Sequence, residues 1–283
     1  MVHRFPTPNP PRLTVEFRSG SVTVHTEDVD ETTVDLRGKR DDEATRRLIA
    51  ETTIAQRGDE VVVLVPKRKG LLGRSPDLVL AVTAPKLATL AIESASADVT
   101  VDGEIASSSI VTGSGDIVVG HVAGSLRMQS GSGDVRAERI DGDADVSTGS
   151  GDIQLGTIGG KGSVGSGSGD VRIGSGEGSL DLKTGSGDVE VGTAPERISA
   201  KTGSGHVRID SVGAGEVSAR TASGDIRTGV RDGTAAWLDV RTVTGRVRSD
   251  LAASAEPGGG EDKVRLQLET VTGDIEVTRV QDG

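Results

Sequence analysis

The sequence contains no cysteine and no tyrosine, and its 283 residues include only two phenylalanines and one tryptophan. Without cysteine there is no disulfide framework, no thiolate metal site and no cysteine nucleophile. Nucleic-acid modules that stack bases on aromatic side chains need rings that this chain lacks. The composition therefore excludes cysteine chemistry and disfavours the recognition of bases or sugars by stacking.

Long apolar runs are missing as well. The longest aliphatic run, Val61–Val65, is far shorter than the roughly 20 residues of a transmembrane helix. The first residues lack the apolar core of a signal peptide, so we expect a cytoplasmic protein, with peripheral membrane association left open. The formal net charge of −11 favours solubility and disfavours general binding of polyanions, but it still allows a local basic stripe.

Glycine is abundant, with 41 residues, and it marks an internal repeat. The motif Ser-Gly-Ser-Gly, or a close variant, is followed by an acidic residue and then by a β-branched residue. We take the acidic position as the reference slot of each copy. The slot holds, in chain order, Asp98, Asp116, Asp134, Asp152, Asp170, Asp188, His206, Asp225, Arg246 and Asp274. The spacing is 18 residues as far as His206 and then 19, 21 and 28 residues.

The columns of the repeat show alternating strands. Valine or isoleucine always follows the slot, apolar residues stand six and usually eight positions before it, and serine or threonine stands four before it. This is the period-2 pattern of β-strands, interrupted by a turn at which glycine is expected because positive φ costs it little. The serine and threonine column shares the parity of the apolar columns, so we expect its hydroxyls to point inward.

A unit of 18 residues cannot bury an apolar face alone, so successive units must stack. The sequence therefore predicts an all-β fold, a single-stranded parallel β-solenoid (β-helix-like) of about ten 18-residue turns over residues 86–280. The longest insertion predicts an exposed loop at 252–262.

The residues before the repeat predict a different organisation. Residues 13–24 fit a degenerate opening copy with Ser21 in the slot. We expect a disordered tail over 1–10 and an N-terminal β cap over 11–85, with a short helix at 41–50 and a hairpin about residues 57–60. The cap would cover a solenoid end that is otherwise an open sheet edge.

Three copies carry a family resemblance: Thr112-Gly-Ser-Gly-Asp-Ile-Val-Val119, Thr148-Gly-Ser-Gly-Asp-Ile-Gln-Leu155 and Thr184-Gly-Ser-Gly-Asp-Val-Glu-Val191. They resemble the toastrack domain family of unknown function, also called the bacterial putative-adhesin family. The stretch Val65-Pro-Lys-Arg-Lys-Gly-Leu-Leu-Gly-Arg74 resembles its actinobacterial members, and the resemblance covers about residues 11–280. It implies a β-solenoid-like domain that accompanies membrane-stress modules in some relatives, with no enzymatic activity and no known site residues.

The acidic column is the first candidate site. Stacked carboxylates repel each other, and calcium, which prefers carboxylate and carbonyl oxygens, would relieve that repulsion. The alternative is a structural turn column in which each carboxylate accepts hydrogen bonds from turn amides, as in Asx turns. We favour the structural interpretation and expect neither a metal nor a cofactor. The column comprises Asp98, Asp116, Asp134, Asp152, Asp170, Asp188, Asp225 and Asp274.

Two outward basic columns form the second candidate site. One lies five residues before the slot and the other two residues after it, and stacking would turn them into stripes. They comprise Arg136, Arg172, Lys183, Lys201, Arg208, Arg220, Arg227, Arg241 and Arg248. They represent either a solvated face neutralised by nearby acids or a binding stripe for an anionic partner such as a lipid surface or a nucleic acid.

No catalytic constellation emerges, because the four histidines are scattered along the chain without partners at ligand spacing. We predict that the protein is not an enzyme and has no small-molecule substrate. A glycan lyase is the third hypothesis. The favoured function is a non-catalytic scaffold or interaction domain that binds a protein partner or self-associates, in an envelope-stress or regulatory context. The alternative is a binder of anionic surfaces through the basic stripes.

Overall fold

A computed structural model of the chain describes residues 2–67, 76–251 and 263–281. These residues form 25 strands and one helix, and the chain divides into two compact units, Met1–Gly142 and Asp143–Gly283. The predicted parallel β-solenoid is confirmed. The basic stretch 68–75 and the predicted loop 252–262 lie outside the described residues.

A long strand near the start of the first unit acts as the first turn of the stack. The elements of this unit are β1 (Val2–Pro6), β2 (Arg12–Glu27), β3 (Glu31–Gly38), α1 (Glu43–Glu51), β4 (Thr53–Arg57), β5 (Glu60–Leu64), β6 (Leu78–Pro85), β7 (Thr89–Ile105), β8 (Ser108–Thr112), β9 (Ile117–Val122), β10 (Leu126–Ser130) and β11 (Val135–Ile140). Strands β2 and β7 pair in parallel with Ser21 opposite Asp98. The expected opening copy of the repeat is therefore confirmed.

The other side of β2 is covered by strands that depart from the repeat. Both β5 and β6 pair in parallel with β2, and each then pairs antiparallel with a further strand, β4 and β3 respectively. The predicted hairpin about residues 57–60 is thus confirmed as β4–β5. A disordered tail was expected over 1–10, whereas β1 pairs antiparallel with β3, with Phe5 opposite Thr32. An edge strand of this kind depends on a partner distant in sequence, which local composition does not reveal.

Helix α1 begins at a conventional N-cap. The Asp42 carboxylate accepts a hydrogen bond from the Thr45 N–H at 2.7 Å, which satisfies one of the free donors of the first turn. This bond holds the pKa of Asp42 below its ordinary value. Leu48 is buried, and the helix spans 43–51 where 41–50 was expected. Within the described part of the chain, no helix is long and apolar enough to cross a membrane.

The second unit consists of strand pairs that repeat from turn to turn. Its strands are β12 (Ala144–Thr148), β13 (Ile153–Ile158), β14 (Gly162–Ser166), β15 (Val171–Gly176), β16 (Leu180–Thr184), β17 (Val189–Thr193), β18 (Arg197–Ser204), β19 (Val207–Val212), β20 (Gly215–Ser223), β21 (Ile226–Arg231), β22 (Ala235–Thr244), β23 (Val247–Ser249), β24 (Lys263–Thr272) and β25 (Ile275–Val280). Equivalent residues stack directly, for example Val171 opposite Val189 and Leu182 opposite Ala200. The aliphatic columns are buried inside the coil, as the period-2 pattern requires.

The corner glycines are required by close backbone approach. A Cβ on Gly187 would lie 2.1 Å from the carbonyl oxygen of Gly169 in the preceding turn. Gly187 is not among the residues with positive φ, so the expected reason for glycine does not apply at this corner, whereas the equivalent Gly224 and Gly273 do have positive φ, at 152°. The side chain is excluded because two corners stack in direct contact.

The stacking order at the end of the second unit differs from the chain order. Strands β24 and β25 pair in parallel with β20 and β21 on one side and with β22 and β23 on the other. The last repeat of the chain therefore lies between the two repeats that precede it. Among the described residues, β22 and β23 form the end of this stack, and Val247 is 50% exposed where the equivalent Ile275 is fully buried.

Candidate functional site

The aspartates of the reference slot form a ladder that links neighbouring turns. In each case the carboxylate accepts a hydrogen bond from the backbone N–H of the slot residue in the next turn. In the first unit the distances are 3.2 Å from Asp98 to Asp116 and 2.8 Å from Asp116 to Asp134. In the second unit they are 2.9 Å from Asp152 to Asp170, 2.9 Å from Asp170 to Asp188 and 2.7 Å from Asp188 to His206.

The ladder continues through the rearranged end of the stack. His206 takes the place of a carboxylate, because its Nδ1 accepts from the Asp225 N–H at 3.0 Å. Asp225 then accepts from Asp274 at 2.9 Å, and Asp274 accepts from Arg246 at 2.8 Å. These bonds join different turns, whereas an Asx turn would have closed within a single corner. Parallel stacking brings the next turn within hydrogen-bond reach.

A second ladder of hydroxyls lies inside the corners. Thr184 Oγ1 donates to the Gly169 carbonyl at 2.8 Å and accepts from the Gly187 N–H at 3.2 Å. The side chain is only 7% exposed, so the predicted inward orientation is confirmed. The same donor bond to the preceding turn recurs at Ser130, Ser166, Thr202, Thr221 and Thr270. The hydroxyls therefore satisfy buried backbone groups that the sharp corners leave without strand partners.

The basic columns are contiguous only in part. Lys183 lies opposite Lys201, and Lys201 opposite Arg220. The next position in this column is Glu269, with Arg241 beyond it. The insertion of β24 between β20 and β22 therefore places an acid between two arginines. The column ends as a three-residue basic patch, which we call the Lys201 patch (Lys183, Lys201 and Arg220).

Acids also interrupt the second basic column. Glu190 separates Arg172 from Arg208, and Glu276 separates Arg227 from Arg248. In the first unit, Arg136 lies opposite the uncharged Val118. Arg208, however, lies directly opposite Arg227. The column therefore contains two acids and one pair of adjacent arginines.

Most of these cations lie beside a carboxylate. Arg172 contacts Asp170 at 2.6 Å and Glu190 at 3.3 Å, and although burial opposes its charge, these acids raise its pKa. The other pairs are Arg136–Asp134 (3.0 Å), Lys183–Asp181 (2.6 Å), Arg208–Asp210 (2.5 Å), Arg220–Glu269 (3.1 Å), Arg227–Glu276 (3.4 Å) and Arg241–Asp239 (3.3 Å). Such pairs lower the net potential of the stripes, which favours a solvated face over a polyanion groove.

A charged cluster in the first unit was not found from the sequence. His121 Nε2 lies 2.8 Å from Asp141, whose other oxygen accepts from Arg139 at 2.7 Å. The hydrogen bond from His121 is the main cause of the lowered pKa of Asp141. These residues fall outside the recurring columns of the repeat, and only the stacking of His121 on Arg139 brings them together. The cluster binds neighbouring turns to each other.

The four histidines have four different surroundings. His3 stacks on Phe5 and His25 lies 3.7 Å from Glu27, while His121 belongs to the charged cluster and His206 to the ladder. Among the described residues, no three His, Asp or Glu side chains are grouped so as to hold a metal ion. Asp98, the first member of the acidic column, lines a surface pocket together with Arg18, Lys39 and Asp77.

Comparison with known proteins agrees with this geometry. The family model described as Toastrack DUF4097 matches residues 11–191 and 142–278. No curated protein matches the sequence.

Three solved structures of bacterial proteins are similar to the chain, the first of them in fold. A putative adhesin from Bacteroides fragilis is 15% identical with a TM-score of 0.50, covering 74% of this chain and 96% of its own. A putative adhesin from Parabacteroides distasonis is 14% identical with a TM-score of 0.43, covering 99% and 96%. A putative lipid binding protein from the same species is 12% identical with a TM-score of 0.36, covering 99% and 96%. Because the family model spans nearly the whole repeat region, the chain belongs to the toastrack family.

Proposed function

We propose that this chain is a non-catalytic β-solenoid scaffold that binds a protein partner or itself. The observation that supports this most is the in-register stacking of outward side chains. Lys183, Lys201 and Arg220 occupy equivalent positions on adjacent strands, held at the strand spacing of about 4.8 Å. A surface of this kind is rigid and repeats a simple pattern, which suits docking of another extended surface.

The same regularity argues against catalysis. A catalytic site needs neighbouring groups in unlike environments that separate their pKa values. Here successive turns offer nearly the same surroundings to each slot residue, and the Asp170 and Asp188 carboxylates each accept from a backbone amide in the same way. The scaffold interpretation also agrees with the family resemblance, which suggests an envelope-stress or regulatory context. Cell fractionation would test the cytoplasmic location expected from the sequence.

Light scattering on the purified protein over a wide concentration range tests this proposal. A rise in mass with concentration identifies self-association. A constant monomer mass means that the partner is a different protein. That protein should then form a binary complex with this chain when the two purified components are mixed. A monomer for which no such complex can be reconstituted would contradict the scaffold function.

Binding to an anionic surface is a second candidate, and the Lys201 patch favours it. These three cations are contiguous in the stack, and Lys201 is exposed. Flotation with vesicles containing anionic phospholipid, compared with zwitterionic vesicles, measures the interaction. Retention that falls steeply with salt and is weakened in Lys201→Glu supports the alternative. Equal recovery with both vesicle types at low salt rules it out.

A further inference from the structure

In the part of the chain that the structure describes, the end of the second unit is an open sheet edge. Strand β22 pairs with β24 on one side and has no strand on the other among the described residues. In the repeats, the N–H eight residues before the slot donates to the turn that follows, as Ala144 does to Lys161 and Gly162 to Ser179. Leu238 is the equivalent residue of β22. Its N–H, and by alternation that of Val240, therefore faces away from β24.

The apolar interior is also uncovered at this edge. The inward residues of β22 are only half-buried, whereas their β24 counterparts Val264, Leu266 and Leu268 are at most 2% exposed. Val247 on β23 is 50% exposed. An edge with free backbone groups and an exposed core is a template for strand addition.

The sequence of β22 is complementary to itself when reversed about Val240. A two-fold axis at Val240 places Asp239 opposite Arg241 of the second copy, and Arg241 opposite its Asp239. The same axis places Trp237 opposite Val243 and Leu238 opposite Thr242. Trp237 and Val243 are 53% and 80% exposed, so both have apolar surface available for this pairing. Cross-strand pairs of opposite charge or of two apolar groups stabilise an antiparallel sheet.

The neighbouring registers are unfavourable. An axis at Asp239 places two aspartates opposite each other, and an axis at Arg241 places two arginines opposite each other. Like charges directly opposite destabilise strand pairing. Charge therefore selects the register centred on Val240.

We propose that β22 is a homodimer interface, at which two copies pair antiparallel through their open edges about Val240. This inference rests on the proposed scaffold function and names the partner as a second copy of the chain. The interface is isologous, which means that the same strand of each copy forms its two sides. The assembly therefore closes at two copies. In the first unit, the first turn β2 has strands on both sides, so it is not an equivalent open edge.

A charge-exchange series measured by sedimentation velocity tests the interface. Arg241 and Asp239 point outward, with side-chain exposures of 72% and 32%, so their substitution leaves the core intact. Arg241→Asp and Asp239→Arg each create two like-charge pairs across the axis and should weaken dimerisation by about tenfold or more. The double variant restores opposite charges and should recover the wild-type dissociation constant. The matched controls Arg197→Asp and Asp181→Arg make the same changes of charge in interior turns and should dimerise like the wild type.

The single tryptophan provides an independent readout. On dimerisation, Trp237 becomes covered by Val243 of the second copy, so its fluorescence emission should shift to shorter wavelength as concentration rises. In Arg241→Asp the same shift should require a concentration about tenfold higher or more. If the wild type stays monomeric at all concentrations, the proposed interface is wrong. The scaffold function can then still be met by binding of a different protein. Association that the β22 variants leave unchanged also overturns the interface, although self-association, and with it the proposed function, then stands.

Discussion

The backbone N–H of Arg246 donates a hydrogen bond to Oδ1 of Asp274 at 2.8 Å, although Asp274 comes 28 residues later in the chain. This bond exists because the last repeat is inserted between the two repeats before it. The insertion also alternates the charges, since Glu269 lies between Arg220 and Arg241. Stacking in chain order would instead have placed the two arginines side by side.

Reversal of the negative charge of Glu269 should destabilise the second unit. Glu269→Lys places a cation between two arginines, and we expect the free energy of unfolding to fall by about 0.5–1 kcal/mol, because these groups are exposed and screened by solvent. Chemical denaturation measures the change. Glu269→Gln removes the attraction without adding repulsion and should have a smaller effect. A variant as stable as the wild type would show that charge does not determine the stacking order.

Loss of a ladder carboxylate should weaken the contact between two turns. Asp188→Ala removes the acceptor of the His206 N–H, and we expect a loss of about 1–2 kcal/mol. Asp188→Asn keeps an acceptor oxygen at the same place and should retain most of the stability. Equal losses in the two variants would indicate that the negative charge matters more than the hydrogen bond.

Isothermal titration of the wild type with calcium should show no saturable binding.

The corner glycines should not tolerate a methyl group. In Gly187→Ala the new Cβ would lie 2.1 Å from a backbone oxygen, and the shift this forces should cost about 1–3 kcal/mol. In Gly165→Ala the nearest atom would be 3.5 Å away, so this control should be neutral or slightly more stable. Thermal unfolding compares the two. A similar effect at both positions would argue against close stacking at the corner.

The buried hydroxyl ladder should be sensitive to loss of the hydroxyl. Thr184→Val keeps the shape but leaves a buried carbonyl and a buried N–H without their partner, which should cost about 1–3 kcal/mol. Thr184→Ser retains the hydroxyl and should be affected less. Denaturation midpoints measured in parallel test this order, and a valine variant more stable than the serine variant would contradict it.

The charged cluster predicts a dependence on pH. The pKa of Asp141 is below its ordinary value mainly because of the hydrogen bond with His121. A lowered pKa means that Asp141 contributes stability above its unfolded pKa of about 3.9. That contribution is lost as the pH falls through the lower folded value. In His121→Ala the pKa should rise toward the ordinary value, which NMR titration of the Asp141 carboxyl carbon measures directly. An unchanged pKa would assign the shift to Arg139 instead.

The sequence predicted the repeat, the parallel strands and the inward hydroxyls because each follows from local periodicity. The alternation around Val189, for example, repeats in every copy and specifies which side chains are buried. The sequence did not reveal the cluster of His121 and Asp141, since these residues belong to no repeated column. It also suggested an Asx turn at the slot, because the distance to the next turn is a property of the stack and not of the corner.

The amino-acid sequence by itself determined the β-solenoid and its register, since 18-residue copies with fixed apolar columns stack favourably only when those columns coincide. The tertiary structure decided the order of the last three copies. Their columns are equivalent, so periodicity permits several orders. Contacts such as that between Arg220 and Glu269 exist in only some of them. That choice interrupts the basic stripes with acids and leaves β22, with its self-complementary charges, at the end of the stack that the described residues form.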